Sequence, residues 1–272
     1  MQKITINKLN KLNKDFYQNV ADDFSDSRQY FWQGWQKIPQ FLEKNIKNQK
    51  KIQVLDLACG NARFAQFLKE KNINFKYLGL DNSAKLLNIA QETIDKENIN
   101  AQLLKFDLIS NYLKNKKIIW PFSQQFDLIV VFGLSHHLPS GDLRLSFFQS
   151  LKEILNKDGL VIVSNWQFAK DERFQKNILN WQKIRKNPKI NIFQRLKLKK
   201  LLKNLENDDY LLDWRKKEKT STKKEAIRYC HHLDNKASEK LFEKAGLQIL
   251  DQFLADGKSQ KLNHYLVLKK TN

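Results

Sequence analysis

Short apolar runs alternate along the chain with segments in which apolar residues recur every three or four positions. The runs have the length and the leucine, isoleucine and valine content of buried strands, and the intervening segments have the spacing of amphipathic helices. The runs are residues 52–57, 75–81, 101–107, 126–132 and 158–166. Buried strands that alternate with helices predict an open, mostly parallel sheet that helices cover on both faces.

The two ends of the chain depart from this alternation. Residues 1–50 have helical spacing and predict an N-terminal helical cap. After a helix that Gly246 is expected to end, residues 247–255 and 263–270 have the pattern of a strand pair joined by a turn at Asp256-Gly257. Five parallel strands followed by a hairpin differ from the six parallel strands of the dinucleotide-binding fold.

We therefore predict a Rossmann-like α/β fold with a seven-stranded, mostly parallel sheet and an antiparallel terminal hairpin. The predicted units are a helical cap over residues 1–50, a cofactor-binding core over 51–170, a basic helical insertion over 171–230 that binds substrate, and a C-terminal helix with the hairpin over 231–272.

Composition excludes several classes of protein. No apolar run of the 272 residues approaches the ~20 residues of a membrane-spanning helix, and the first residues lack the apolar stretch of a secretory signal. We therefore expect a cytoplasmic protein with no membrane partner. Cys59 and Cys230 are the two cysteines, which cannot form a disulfide framework or fill a zinc site without several nearby histidines. No metal is predicted.

The net charge of +20 is concentrated in one part of the chain. From Asp171 to Lys224 there are seventeen Lys or Arg residues against seven Asp or Glu residues, a net charge of +10. Such an excess favours a polyanionic partner. A biased genomic base composition is an equally open explanation, because asparagine and isoleucine are also abundant and lysine far outnumbers arginine.

Acidic or turn-forming residues follow four successive predicted strands. Since ligands of open α/β sheets bind beyond the carboxyl ends of the strands, we expect these residues to surround one site. Gly60 would allow close approach of the backbone, and Asp81, twenty-one positions later, would accept hydrogen bonds from ribose hydroxyls. Asp107 would accept from an adenine amino group, and Asp56 would face a positively charged end of the ligand. The predicted cofactor-binding residues are Asp56, Ala58, Gly60, Asp81, Asn82, Phe106, Asp107, Leu108, Phe132 and Gly133.

The segments VLDLACGNARF, YLGLDNS, LLKFD and FDLIVVFGLSHHL resemble the successive motifs of class I S-adenosylmethionine-dependent methyltransferases. The resemblance implies S-adenosylmethionine as cofactor and methyl transfer as activity. Ala58 and Ala62 stand where such loops usually have glycine. Alanine tolerates ordinary backbone torsions but not positive φ, so the detailed shape of the loop stays open while Gly60 keeps the central contact.

Three further stretches are similar to a narrower family, the tRNA methyltransferases that esterify the 5-carboxymethyl group of wobble uridine, including the domain fused to AlkB-like oxygenases. They are VADDFSDSRQYFWQGWQKIPQFL, GLSHHLPSGDLRLSFFQSLKEIL, and DYLLDW with RYCHHL. The resemblance implies tRNA as acceptor and, as in eukaryotic relatives, a small activator subunit as a candidate partner. The chain departs from this family at Cys230, where an aromatic residue is usual, and at Pro39, which is not beside a tryptophan.

Methyl transfer to a carboxylate needs little acid–base assistance, because the nucleophile is already ionised. Positioning should dominate, with cations and donors holding the carboxylate and aromatic faces stacking the base. The candidate catalytic residues are Arg28, His136, His137, Trp166, Arg228, Tyr229 and His231.

Each assignment has a structural alternative. The aspartates at the strand ends and the paired histidines could cap the helices that follow them, and the arginines could pair with surface acids. The basic segment 173–203 could be a solvated helical face. Trp32 and Trp35 are assigned to the core or to a lid. Two other functions also stay open: a methyltransferase of small molecules, and a non-catalytic RNA-binding protein with the same fold.

Overall fold

The computed structural model describes residues 1–26, 30–46, 51–188, 190–214 and 226–271, which form one seven-stranded and one two-stranded sheet. In chain order the strands are β1 (Ile52–Leu57), β2 (Phe75–Asp81), β3 (Ala101–Lys105), β4 (Phe126–Phe132), β5 (Leu155–Trp166), β6 (Asp209–Trp214), β7 (Ala226–His231), β8 (Leu247–Ala255) and β9 (Asn263–Lys270).

The large sheet has the order β3-β2-β1-β4-β5-β9-β8. Strands β1 to β5 pair in parallel, and β9 pairs antiparallel with both β5 and β8. The order reverses beside β1, so β1 and β4 flank the topological switch point where such sheets bind ligands. The predicted Rossmann-like fold with its terminal hairpin is confirmed.

Ten α-helices and three short 3-10 helices lie in the described residues. The α-helices are α1 (Lys3–Asp26), α2 (Ile38–Asn45), α3 (Arg63–Glu70), α4 (Ala84–Lys96), α5 (Leu108–Asn115), α6 (Gly141–Ile154), α7 (Glu172–Gln175), α8 (Trp181–Lys186), α9 (Ile192–Leu202) and α10 (Asn235–Lys244). The 3-10 helices are Gln33–Lys37, Ser135–His137 and Phe168–Lys170. No helix among the described residues is both long enough and apolar enough to cross a bilayer.

Both faces of the large sheet are buried, which explains why its central strands are apolar almost throughout. On β1, Leu55 belongs to a core cluster with Phe147 of α6 and Phe242 of α10. Val54, which points to the opposite face, belongs to a second cluster with Phe67 of α3. All five side chains are essentially inaccessible to solvent.

The elements differ from the sequence prediction in three places. Helix α5 lies between β3 and β4, where no helix was predicted. Strand β5 begins at Leu155, three residues before the predicted run 158–166, and its pairing with β4 shifts register at this point. The insertion contains the antiparallel pair β6–β7 in addition to its short helices. The C-terminal turn was predicted correctly, because Gly246 follows α10 with φ +71°.

Candidate active site

A cavity of about 470 Å³ lies at the carboxyl ends of β1, β2 and β4. All ten predicted cofactor-binding residues line it: Asp56, Ala58, Gly60, Asp81, Asn82, Phe106, Asp107, Leu108, Phe132 and Gly133. These residues therefore lie together, as expected for residues that follow the carboxyl ends of the strands in an open α/β sheet.

The loop after β1 has positive φ at three alternate residues. The φ angles are 63° at Ala58, 58° at Gly60 and 57° at Ala62. The sequence did not determine the shape of this loop, because alanine stands where glycine is usual. In the structure both alanines adopt the left-handed conformation, which glycine would adopt without strain. The loop is held by the amide of Cys59, which donates to the carbonyl of Leu80 over 3.0 Å.

Asp81 connects this loop to the end of β2. Its Oδ2 accepts a hydrogen bond from the amide of Gly60 (3.0 Å), and its Oδ1 accepts one from the amide of Ser83 (2.8 Å). Burial raises the pKa of Asp81, and the backbone donors oppose this rise. An ionised carboxylate offers about four acceptor positions, so Asp81 keeps capacity for donors from the cavity. The helix that follows is capped by Ser83, not by Asp81.

Asp56 is the most strongly perturbed carboxylate of the cavity. Burial raises its pKa from 3.8 to about 7, although the hydroxyl of Tyr77 donates a hydrogen bond to Oδ2 over 2.6 Å and opposes the rise. The neighbouring charge of Asp81 raises the pKa further, and that of Arg63 lowers it. A cation delivered to this position would favour the ionised form.

Asp107 combines a structural role with its place in the cavity lining. It caps α5, because its Oδ1 accepts from the amide of Ser110 over 2.9 Å. Its Oδ2 accepts from the ammonium of Lys14, also over 2.9 Å. Burial alone would raise the pKa of Asp107, but the bonds from Ser110 and Lys14 outweigh it and lower the pKa. Of the three aspartates at the strand ends, Asp107 thus caps a helix, whereas Asp56 and Asp81 do not.

His137 lies at the wall of the cavity in a defined tautomer. Its Nδ1 is 2.9 Å from the carbonyl of Tyr229 and 3.2 Å from Nδ2 of Asn13, and the shorter contact, with an atom that only accepts, favours the proton on Nδ1. Its Nε2 then accepts from the hydroxyl of Tyr17 over 2.7 Å. Burial and the nearby charge of Arg228 lower the pKa of His137 to about 3, which keeps the ring neutral.

His136 also lines the cavity, with its ring 4.2 Å from that of His137 and 5.5 Å from that of Trp166. Neither histidine caps the helix that follows. That role belongs to Ser140, whose hydroxyl accepts from the amide of Leu143.

Arg228 and Trp166 form an aromatic and cationic wall of the cavity. The guanidinium carbon of Arg228 lies 4.6 Å from the ring centre of Trp166 and 5.2 Å from that of Phe16. Among the described residues no carboxylate pairs with Arg228, and its Nε is buried without a hydrogen-bond partner. A cation that contacts two aromatic rings and has no paired carboxylate among the described residues is suited to bind an anion.

Two of the candidate catalytic residues lie outside the cavity lining, and a third cannot be placed. The hydroxyl of Tyr229 donates to Oδ1 of Asp209 over 2.6 Å, and Nδ1 of His231 lies 2.8 Å from the same oxygen. Both side chains are buried on the far side of β7, because residues at odd and even positions of a strand point to opposite faces. Arg28 lies outside the described residues.

One group of three potential metal ligands lies within the described residues. The ligand atoms of His136, His137 and Cys230 are all within 4.8 Å of one another. Burial raises the pKa of the Cys230 thiol to about 12, and Nδ1 of His137 already donates to a backbone carbonyl. The charge of Arg228 also faces this group, which disfavours a second cation.

Helix α1 provides a wall of the cavity that was not predicted from the sequence. Side chains spaced three or four positions apart on one of its faces line the cavity. Asn13 fixes the helix to β7, since its Oδ1 accepts from the amide of Tyr229 (2.7 Å) and its Nδ2 donates to the carbonyl (3.2 Å). One feature of the sequence could have indicated this role: uncharged polar residues interrupt the apolar stripe of a helix that is otherwise rich in lysine. The residues concerned are Asn10, Asn13, Phe16, Tyr17 and Val20.

Arg63, Trp32 and Trp35 also line the cavity and were not among the candidates. The guanidinium carbon of Arg63 lies 5.2 Å from the ring centre of Trp35, and Nη1 donates to the carbonyl of Tyr30. Trp35 is buried and Trp32 half-buried, in accord with the assignment of these tryptophans to the core or to a lid.

A family profile described as a methyltransferase domain matches residues 26–206 of the chain. The chain belongs to this methyltransferase family. The fold agrees with that of an S-adenosylmethionine-dependent methyltransferase from Clostridium acetobutylicum ATCC 824. The two structures superpose with a TM-score of 0.62 at 14% identity, over 93% of this chain and 97% of the other.

Curated relatives of the methyltransferase match over shorter stretches. A ribosomal protein L11 methyltransferase of Thermosipho africanus (strain TCF52B) is 28% identical over 125 residues, which are 46% of this chain and 41% of that protein. A probable tRNA methyltransferase 9B of Bos taurus is 24% identical over 177 residues, which are 62% of this chain and 33% of that protein. The chain thus spans less than half the length of either relative.

The predicted enzyme class is confirmed, and a glycopeptide N-methyltransferase with a similar fold (TM-score 0.54, 13% identity) is described in complex with S-adenosylmethionine. The residues present fit this molecule by their chemistry. Asp81 has acceptor capacity for ribose hydroxyls, and Asp56 would become ionised beside the ammonium of the methionine moiety. The left-handed conformation of Gly60 would let the backbone approach the ligand closely. Bound there, the sulfonium supplies the electrophilic methyl group.

Proposed function

We propose that the methyltransferase transfers the methyl group to a carboxylate on tRNA, giving the methyl ester of a carboxymethyl-modified wobble uridine. The single observation that supports this most directly is Arg228, a half-buried guanidinium without a carboxylate partner among the described residues. Because a desolvated charge without a counter-ion is costly, an anionic acceptor would complete this site.

The walls around Arg228 suit a nucleobase attached to that anion. The guanidinium of Arg228 lies over the rings of Trp166 and Phe16, and His136 lies against Trp166. Unpaired bases of RNA are commonly held by stacking on such rings. Of the seven candidate catalytic residues, we therefore retain Arg228, Trp166, His136 and His137 as the residues that position the acceptor.

The reaction needs an aligned nucleophile and no general base. A carboxylate oxygen forms a bond to the methyl carbon while the carbon–sulfur bond breaks, and its electron pair stays on sulfur to give S-adenosylhomocysteine. No proton moves, in keeping with a neutral His137 whose pKa is about 3. Positioning supplies most of the acceleration of such a step. The 2.7 Å hydrogen bond between Tyr17 and His137 then serves to hold α1 against the 3-10 helix that follows β4.

Two further observations support RNA as the carrier of the carboxylate. The chain is similar over 177 residues to a protein described as a probable tRNA methyltransferase. The insertion after β5, which provides Arg228, has a net charge of +10 between Asp171 and Lys224, and such an excess favours a polyanion. An activator subunit and a cytoplasmic location stay predictions.

A small carboxylate is the second candidate acceptor, and α1 is the observation that favours it. The helix lies over the cavity and is fixed to β7 through Asn13 and to the α5 cap through Lys14. A helix fixed over the cavity limits access to it, which favours a small acceptor over a nucleotide within a long chain.

Methylation assays with labelled S-adenosylmethionine separate the two candidates. We expect label in the tRNA fraction and a nucleoside whose mass and alkali lability identify a methyl ester. Arg228→Gln should lower kcat/KM for tRNA at least tenfold and leave the Kd of the cofactor unchanged, whereas the exposed control Lys236→Gln should change neither. Label in a small-molecule extract alone would refute tRNA as the acceptor.

A further inference from the structure

We propose that the outer face of α9 is a docking surface for the RNA strand that leads into the cavity. This surface, called the α9 face below, consists of Ile192, Phe193, Leu196, Lys197, Lys199, Lys200 and Lys203. The proposal rests on the proposed function for its choice of RNA.

The charge around the α9 face is of one sign. Between Arg173 and Leu205 the sequence has eleven Lys or Arg residues and no Asp or Glu. Solvated helical faces usually interleave both signs, which gives favourable pairs three or four positions apart. Here the lysines of α9 have no such acidic neighbours, and their repulsion is relieved by an external polyanion.

Three large apolar side chains are exposed on the same face. Phe193 is 81% exposed, Ile192 60% and Leu196 57%, whereas Leu198 and Leu201 on the inner face are buried against β6–β7. The fold therefore uses only the inner face of α9, and the outer apolar residues contribute nothing to the core. Contiguous exposed apolar residues of this kind mark interaction sites.

The helical spacing interleaves the apolar and basic groups. Phe193, Lys197 and Lys200 follow one another at intervals of four and three residues, so they form one stripe along the helix. An exposed ring beside two ammonium groups can stack an unpaired base while the lysines contact the phosphates that flank it.

Two structural layers, the strand pair β6–β7 and helix α9 itself, separate the α9 face from the acceptor wall. Leu211 and Tyr229 point from β6–β7 towards Leu198 and Leu201 of α9, and Arg228 points from β7 into the cavity. Packed layers are about 10 Å apart, so an RNA with one nucleotide in the cavity would have to pass around the edge of β6–β7, over a path of at least about 20 Å, to reach the α9 face.

RNA fits the α9 face better than an anionic membrane does. The helix has 11 residues, about 16 Å, and its three exposed apolar side chains share their stripes with lysines. Helices that lie in a membrane interface instead separate a wide apolar face from a basic one. The basic excess also continues into α8, with Lys183, Arg185 and Lys186, which extends the surface for a polyanion.

The test is tRNA binding by fluorescence anisotropy without cofactor, across a series of salt concentrations. In Lys197→Gln/Lys200→Gln the slope of log K against log salt should become shallower by about 1.4, because two phosphate contacts are lost and each contact with a single strand contributes about 0.7. The control Lys96→Gln/Lys114→Gln makes the same charge change at the opposite edge of the sheet and should keep the wild-type slope.

The aromatic contact is tested separately. Phe193→Ala should weaken tRNA binding about tenfold and Phe193→Trp should restore it, because stacking of one base has roughly this effect. The control Ile119→Ala removes another exposed apolar side chain and should bind like wild type. All variants change exposed residues, and equal Tm values and equal cofactor Kd values would establish that they are folded.

Unchanged tRNA affinity and salt slope in the α9 variants would overturn the proposal. Loss of binding to phosphatidylserine vesicles with unchanged tRNA binding would overturn it in favour of a membrane. Failure of the proposed function has a different signature: tRNA would bind through α9, with the predicted losses, and no methyl group would be transferred.

Discussion

Replacement of Asp56 by asparagine should stabilise the protein and at the same time weaken its affinity for the cofactor. Asp56 is buried at the end of β1, and its pKa is raised to about 7 from an ordinary value of 3.8. Asparagine has the shape of the protonated acid and can still accept the hydrogen bond from Tyr77. It removes the cost of a buried negative charge.

The size and sign of the effect follow from the linkage between proton binding and folding. Between about pH 4 and pH 7 the folded protein keeps a proton on Asp56 that the unfolded chain has lost, so stability falls as pH rises through this window. The difference between the two pKa values corresponds to about 4 kcal/mol above pH 7, as an upper bound. At pH 5 only part of this cost has developed, so the variant should gain about 3 kcal/mol more at pH 8 than at pH 5.

Urea denaturation of wild type and Asp56→Asn at pH 5 and pH 8 measures this directly. The difference between the two proteins removes the contribution of His137, whose pKa is also shifted, and retains the interaction between Asp56 and Asp81. Calorimetry of the same samples should show weaker binding of S-adenosylmethionine by the variant, since its ammonium loses the carboxylate. A stability difference that does not change with pH, or a destabilised variant at pH 8, would refute the reasoning.

Two further predictions concern backbone positions around the cavity. Gly34→Ala should destabilise the protein by about 1–3 kcal/mol in thermal melts, because a Cβ there would lie 2.2 Å from the buried ring of Tyr265, and an unchanged Tm would contradict this. Ala58→Gly and Ala62→Gly should leave the free energy of unfolding unchanged or raise it by up to about 1 kcal/mol, because the strain that glycine relieves at positive φ is at least as large as the entropy that glycine loses on folding. As a control, Ala65→Gly inside α3 should lower the free energy of unfolding by about 1 kcal/mol. A similar loss in all three glycine variants would show that the loop is not strained.

The sheet and the cofactor side of the cavity were predictable because one rule determines both. Parallel strands are apolar runs in the sequence, and their carboxyl ends meet at one edge of the sheet, so Asp56, Asp81 and Asp107 could be assigned to one site. The same rule could not determine the torsions of Ala58 and Ala62. These depend on the tertiary hydrogen bonds that hold the loop, which outweigh the local preference of alanine.

The acceptor side was less predictable because its contacts join distant parts of the chain. Asn13 is 216 residues from Tyr229 and 124 from His137, and no local pattern specifies such pairs. Tyr229 was a candidate for the site beside Arg228, although neighbouring residues of a strand point to opposite faces. Once the pairing of β6 with β7 is known, only one of the two can face the cavity.

Isothermal titration of S-adenosylmethionine into the purified protein tests the central claim most directly. Wild type should bind one equivalent, and Asp81→Ala should bind at least 100-fold more weakly, because two hydrogen bonds to a charged group are lost at about 1.5–3 kcal/mol each. The control Asp95→Ala, at the exposed end of α4, should bind like wild type. A folded wild-type protein that binds neither S-adenosylmethionine nor S-adenosylhomocysteine, or an Asp81→Ala variant with unchanged affinity, would contradict the account.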